Sequence, residues 1–107
     1  MAEAVLKTKL ANFLSDNGMW VGGKVTVTPT AVHMNANAMN RLAQGGTMDY
    51  EIPMSAIHKV YVEWGFVTKI VCMDTDAGTY QFRCFGAKGI ASIIGKTYLA
   101  LALKRTR

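Results

Sequence analysis

Hydrophobic and polar positions alternate in steps of two through most of this chain and change to a helical period near its end. The clearest alternation lies in residues 67–73 and 79–84, joined by the turn sequence Asp74-Thr75-Asp76-Ala77-Gly78. In that hairpin Ile70 and Cys72 are expected to face Tyr80, Phe82 and Cys84 across the core, with Gln81 and Arg83 turned to water. Residues 87–104 then place Ile90, Ile93, Ile94, Thr97, Tyr98 and Leu101 on one helical stripe. A helix that follows the last strand must bury its stripe on the sheet already formed. The order therefore predicts a small barrel or strongly bent sheet capped by a helix.

Upstream, residues 2–15 set Leu6, Leu10, Phe13 and Leu14 on one helical face, with Lys7, Lys9 and Asn12 off it. This spacing predicts an N-terminal helix stopped by Asp16, Asn17 and Gly18. A short strand over 19–21 meets Gly22 and Gly23. Residues 24–28 alternate with Val25 and Val27 inward, Pro29 ends the run, and residues 31–35 return with Val32 and Met34 inward. Residues 35–46 lack any period and read as one long loop with a helical turn over 38–43. Further strands are expected over 47–52, where Tyr50 and Ile52 share a face, and over 57–64, where Val60, Val62 and Trp64 do; Ser55 caps the turn between them. No internal repeat divides the sequence, so an N-terminal helix (1–17) and a barrel with its helix (18–107) make one domain.

Composition narrows the class. With 107 residues, 50% of them hydrophobic and 18% charged, the chain is long enough for one core and too apolar for disorder. The net charge of +5 suggests an anionic partner, yet Lys104, Arg105 and Arg107 supply most of it and residues 1–103 carry only +2. A basic end also suits the C-terminus of a helix. Glu3, Lys7 and Lys9 interrupt the opening residues, so no secretory leader is read there. Cys72 and Cys84 are expected to be reduced, buried thiols of a cytoplasmic protein, with peripheral membrane contact as an option. The most apolar stretch, residues 90–103, is broken by Gly95 and Lys96 and is too short to span a bilayer.

Taken in order, these segments resemble the GRAM branch of the pleckstrin-homology-like superfamily. The likeness rests on Gly23-Lys24-Val25-Thr26-Val27-Thr28 with Val32 and Met34, on Ile52-Pro53-Met54-Ser55-Ala56-Ile57-His58-Lys59-Val60, on Thr68-Lys69-Ile70, on Tyr80-Gln81-Phe82-Arg83 and on the closing helix. It implies a mainly β fold with α, a bent seven-stranded barrel capped by the C-terminal helix, to which the N-terminal helix is an addition. It also implies a non-catalytic binding domain. Phosphoinositide-binding members of the superfamily place several cations on the first two strands and their loop. Here the corresponding loop, Pro29 and Thr30, is uncharged, and Lys24 is the only cation nearby.

No residue pattern in the sequence marks catalysis, a cofactor or a metal. His33 and His58 have no ligand partners at metal spacing. Ser15, Ser55 and Ser92 have local structural roles, Asp74 and Asp76 suit a turn, and Gly86-Ala87-Lys88-Gly89 lacks the phosphate-loop ending. Function is therefore expected to be binding. Val71 and Met73, on the outer face of the hairpin, and Leu99 and Leu103, on the far side of the helix, are surplus apolar surface and candidate contacts for a protein partner or a second copy. The alternative is a peripheral membrane module that meets anionic lipid through Met39, Arg41 and Leu42 of the long loop together with Lys88. Nucleic acid is the weakest option: Trp20 and Trp64 would supply stacking, but the body carries few cations.

Overall fold

The computed structural model describes residues 4–15, 18–36, 49–65 and 67–105. Strands β1 (Lys7–Leu14), β2 (Trp20–Val27), β3 (Ala31–Ala36), β4 (Asp49–Pro53), β5 (Ile57–Glu63), β6 (Ile70–Thr75) and β7 (Gly78–Arg83) follow in chain order, and helix α1 (Ala87–Arg105) comes last. All seven belong to one antiparallel sheet with the order β4-β3-β2-β1-β7-β6-β5. The sheet is bent over its own core. Tyr50 of β4 meets Phe13 of β1 edge-on at 5.7 Å between ring centroids and Tyr80 of β7 at 6.0 Å, although β4 and β7 are not neighbours. A 3-10 turn, Met54–Ala56, joins the two edge strands β4 and β5. Ser55 lies inside that turn, whose cap residue is Pro53, and makes no side-chain cap.

The alternation of β2, β3 and β4 is as expected: Val25, Val27, Val32 and Met34 are fully buried, and Ile52 is nearly so. Helix α1 closes the core with Ile90 and Ile94, while Ile93, Tyr98 and Leu101 pack on it in part. The Tyr98 hydroxyl donates to the His58 carbonyl of β5 at 3.4 Å, which ties the middle of the helix to the sheet.

The expected N-terminal helix is instead β1. Ala11 and Phe13 of the strand are buried, as is Ser15 just past its end, whereas Leu10 before them and Asn12 between them are exposed. β1 holds a ladder on each edge, with β2 from Lys7↔Val27 to Leu14↔Trp20 and with β7 at Asn12↔Arg83 and Phe13↔Phe82. Helix propensities differ by only tenths of a kcal/mol per residue, so two-sided pairing around a buried Phe overrides them. Two of the inward residues are Ala and Ser, and the outward Leu10 is apolar, which conceals the strand period. β2 runs unbroken through Gly22 and Gly23. A Cβ on Gly23 would stand 2.1 Å from the Asn35 carbonyl oxygen, so here glycine permits a close approach of β3 and does not end a strand. The pair read as the first two strands is thus β2 and β3. The true β1–β2 connection, residues 15–19, contains no Lys or Arg.

β6 is inverted relative to expectation, whereas Tyr80 and Phe82 of β7 and Cys84 after it face the core as expected. Val71 lies opposite Phe82 and Met73 opposite Tyr80, so Val71 and Met73 point into the core and are fully buried. The turn is tighter than the five residues expected. Thr75 pairs with Gly78 across Asp76 and Ala77, Gly78 takes φ +119°, and the Thr75 hydroxyl accepts from the Ala77 amide at 3.1 Å and donates to the Gly78 carbonyl at 2.7 Å. A five-residue loop would pair Met73 with Thr79; the observed register slips by one residue, which exchanges the faces. Cys72 consequently leaves the core side yet stays buried, because its Sγ donates to Glu63 Oε1 at 3.0 Å and accepts from Gln81 Nε2 at 3.4 Å. Cys84 does belong to the core, and both thiols are free.

Two outcomes follow from these placements. Met73→Ala should cost about 2–5 kcal/mol by urea denaturation, the usual range for a buried Met, whereas Leu103→Ala, on an exposed position, should change stability by less than about 0.5 kcal/mol. Burial, then the Glu63 hydrogen bond, pushes the Cys72 thiol up to about 11 from its usual 9.0. The folded state therefore holds this proton more tightly than the unfolded chain. The resulting stability is complete below pH 9.0 and declines as pH rises towards 11. Unfolding midpoints across that window should fall less steeply in Cys72→Ala than in the parent chain.

Candidate functional site

Two connections meet beside the start of α1. β5 ends at Glu63, and Trp64 follows at 86% exposure. Gly65 permits the tight bend after it, since a Cβ there would lie 2.0 Å from the Thr68 carbonyl oxygen. Arg83 of β7 donates from Nε to Thr68 Oγ1 at 3.3 Å and so fastens this connection to the sheet, with Val67 left 70% exposed. β7 runs on through Cys84 to Phe85 and Gly86. Gly86 adopts φ +73°, a left-handed value that glycine accepts without strain and that swings the chain into α1. Phe85 is thereby left 75% exposed next to Val67.

Cations surround this apolar cluster. Lys69 Nζ lies 4.9 Å from the Trp64 ring centroid, within cation–π range. Lys88, in the first turn of α1, stands against Lys69: hydrogen bonding to the Lys88 amine, then partial burial and the Lys88 charge, lowers the Lys69 pKa. Lys9 of β1 approaches Gly86, with its Nζ 3.1 Å from where a Cβ would be. On the neighbouring sheet face the Arg83 guanidinium sits 5.3 Å from the centroid of Trp20. Among the described residues no carboxylate lies within ion-pair distance of Lys69 or Lys88. The nearby Glu63 carboxylate is engaged by Cys72 and Gln81.

Adjoining clefts share these residues as walls. One of about 300 Å³ is lined by Val67, Lys69, Phe85 and Lys88. A second of about 200 Å³ lies between Glu63, Trp64, Lys69 and Lys88. A third of about 470 Å³ runs from Phe85 and Arg83 over Leu10 to Gly22 and Gly23. The whole is an apolar and aromatic ridge with the amines of Lys69 and Lys88 beside it and the Glu63 carboxylate at the wall of the smaller cleft.

Elsewhere the polar groups have structural duties. His58 Nε2 is hydrogen-bonded to the Asp76 carboxylate, and the Asp76 amide donates to the Ala56 carbonyl at 3.1 Å, so the β6–β7 turn is pinned to the 3-10 turn. Asp74 accepts from Thr79 at 2.8 Å and from Tyr61 at 3.3 Å. Desolvation, followed by the Asp74 charge, raises the Tyr61 pKa. Among the described residues no group of three His, Cys, Asp or Glu side chains is placed to hold a metal.

Of the residues singled out in the sequence, Lys88 lies in this site. Val71 and Met73 do not, because they are core residues and offer no surface. Leu99 and Leu103 are exposed towards the other end of α1. Met39, Arg41 and Leu42 fall outside the described residues. Trp64, read from the sequence only as a candidate for stacking on nucleic acid, also lies here, while Val67, Lys69 and Phe85 were not expected to form a site. The signal for them was an aromatic residue placed directly before a glycine where a strand ends, Trp64-Gly65 and Phe85-Gly86.

No protein-family model matches this sequence, and no curated protein matches it. Among solved structures, the C-terminal domain of an unknown protein from Leishmania infantum superposes with a TM-score of 0.70 at 12% identity, over 91% of this chain and 85% of that one. The N-terminal PH domain of Vps36 superposes with a TM-score of 0.64 at 13% identity, over 99% of this chain and 84% of that one. These identities speak to architecture alone. The seven-stranded antiparallel sheet closed by one C-terminal helix is the PH-like fold.

Proposed function

We propose that this chain is a non-catalytic binding module that seats on an anionic membrane surface through the end formed by Trp64, Val67 and Phe85. The observation that carries this reading is three large exposed apolar side chains on two adjacent connections, with Lys69 and Lys88 beside them and, among the described residues, in no ion pair. Tryptophan and phenylalanine favour the boundary between headgroups and acyl chains. Each Lys near an anionic leaflet adds about 1 kcal/mol of attraction. The PH-like fold supports the non-catalytic part, since such domains usually bind and do not catalyse. No helix among the described residues is long and apolar enough to cross a membrane, so contact by this route is peripheral.

A protein partner or a second copy is the competing reading. It loses Val71 and Met73 to the core and retains Leu99 and Leu103 on α1. Light scattering on the parent chain and on Leu99→Ser/Leu103→Ser tests it. A dimer that the substitutions dissolve would support self-association through the helix, and a monomer throughout would remove it.

Co-sedimentation with phosphatidylcholine vesicles, with and without phosphatidylserine, tests the membrane reading. Binding should require the anionic lipid and weaken as salt rises. Trp64→Ala and Phe85→Ala should each reduce it by about tenfold, which corresponds to roughly 1.4 kcal/mol of lost partitioning. In a Trp20→Phe background the Trp64 emission should shift to the blue on binding. Absence of binding, or preference for a single-stranded oligonucleotide over the vesicles in competition, would overturn the proposal.

A further inference from the structure

We infer that a groove between the C-terminal half of α1 and the β2–β3 turn docks an acidic, amphipathic segment of a partner protein, in which a bulky apolar side chain is flanked by carboxylates. The groove shares no lining residue with the clefts around Trp64 and Phe85. Its volume is about 320 Å³, and Leu6, Pro29, Ala100 and Leu101 line it together with Lys96 and Lys104. The walls are built in advance. The Leu6 amide donates to the Val27 carbonyl at 2.8 Å, and the turn that carries Pro29 is closed by the Thr28 amide on the Ala31 carbonyl at 2.9 Å and by the Ala31 amide on Thr28 Oγ1 at 3.1 Å. Thr97, on the helix side, donates its hydroxyl to the Ile93 carbonyl at 2.6 Å, so that hydroxyl is already engaged within α1. A preformed groove of this kind needs little ordering when a ligand arrives.

The charge of the occupant follows from what surrounds the groove. Lys96, Ala100 and Lys104 recur every four residues on one helical row, which sets the two lysines about 12 Å apart along the axis with a small side chain between them. Both lysines are exposed, and among the described residues neither is in an ion pair. No Asp or Glu occurs in residues 87–105, and among the described residues no carboxylate lines the groove. An apolar floor between two cations complements an apolar anchor with a carboxylate on either side, and each Lys–carboxylate pair would be a charge-assisted hydrogen bond. Leu103, three residues beyond Ala100 and 69% exposed, extends the apolar surface past the lysine row. A second copy fits less well. The same groove set against itself would bring four lysines together on a chain whose net charge is already +5. A bilayer also fits less well, because a flat surface meets projecting side chains and does not reach a floor recessed between a turn and a helix.

Selection of a displayed library of random peptides on the full chain tests this. Enriched sequences should combine Asp or Glu with Leu, Phe or Trp, and a fluorescent copy of the strongest should bind more weakly as salt rises. Lys96→Glu and Lys104→Glu should each weaken its binding by about tenfold in fluorescence anisotropy. Ala100→Trp, which fills the groove from an exposed position, should do the same while leaving the unfolding curve and the binding to phosphatidylserine vesicles unchanged. A copy of the peptide with Lys in place of its acidic residues should recover affinity for the double variant Lys96→Glu/Lys104→Glu. Failure to enrich acidic sequences, or an enriched peptide indifferent to these substitutions, would overturn the inference. A dimer of the parent chain that Ala100→Trp dissolves would give the groove to a second copy, and loss of vesicle binding in Ala100→Trp would give it to the membrane; either result would overturn it too.

Discussion

Everything in this fold depends on one strand filling both of its hydrogen-bonding edges. β1 pairs with β2 along its whole length and with β7 at Asn12 and Phe13, and it thereby joins two half-sheets that share no other ladder among the described residues. A β1 paired on one side would leave an open edge in the middle of the molecule, a liability natural sheets avoid. With both edges filled, the halves bend towards each other about Phe13, and Tyr50 and Tyr80 can meet across the interior. That closure gives α1 a concave floor to cover with Ile90 and Ile94. It also brings Leu10 and Lys9 to the turn at Phe85 and Gly86, so the strand that builds the core supplies part of the candidate site.

The site and the core make opposite use of apolar side chains. Val71, Met73 and Phe82 vanish from the surface because the hairpin register turns them inward. Trp64, Val67 and Phe85 are exposed, and each lies past the end of a strand. Bends at Gly65 and Gly86 hold them there, next to Lys69 and Lys88, which among the described residues form no ion pair. Isolated exposed hydrophobes are ordinary on any protein, but several on one rim together with unpaired lysines are not.

The sequence disclosed the fold wherever burial and hydropathy agree. Val25, Val27, Val32, Met34, Ile52 and the stripe from Ile90 to Leu101 were legible because each inward position is apolar and its neighbours are polar or small. β1 was illegible for the converse reason: its inward residues include the small Ala11, the buried residue just past it is Ser15, and Leu10 faces out, so hydropathy follows a helical spacing by coincidence. The faces of β6, though not those of β7, were lost through one residue of turn length. Asp74 and Thr75 look like turn residues, yet both belong to β6 because Thr79 and Gly78 pair with them. The site was hidden in a different way. Lys69 and Lys88 lie far apart in the chain, and their apposition depends on where β6 begins relative to the helix, which no local pattern encodes.

Helix α1 has a geometric consequence for any assembly built on this domain. At about 1.5 Å of rise per residue, Leu103 lies roughly 22 Å along the axis from Lys88. A ligand at one end of the helix and a partner at the other would not collide, and neither would need the sheet to move. The cap of the core thus doubles as a rigid strut, one that could hold a second body at a fixed standoff from whatever the lysines touch.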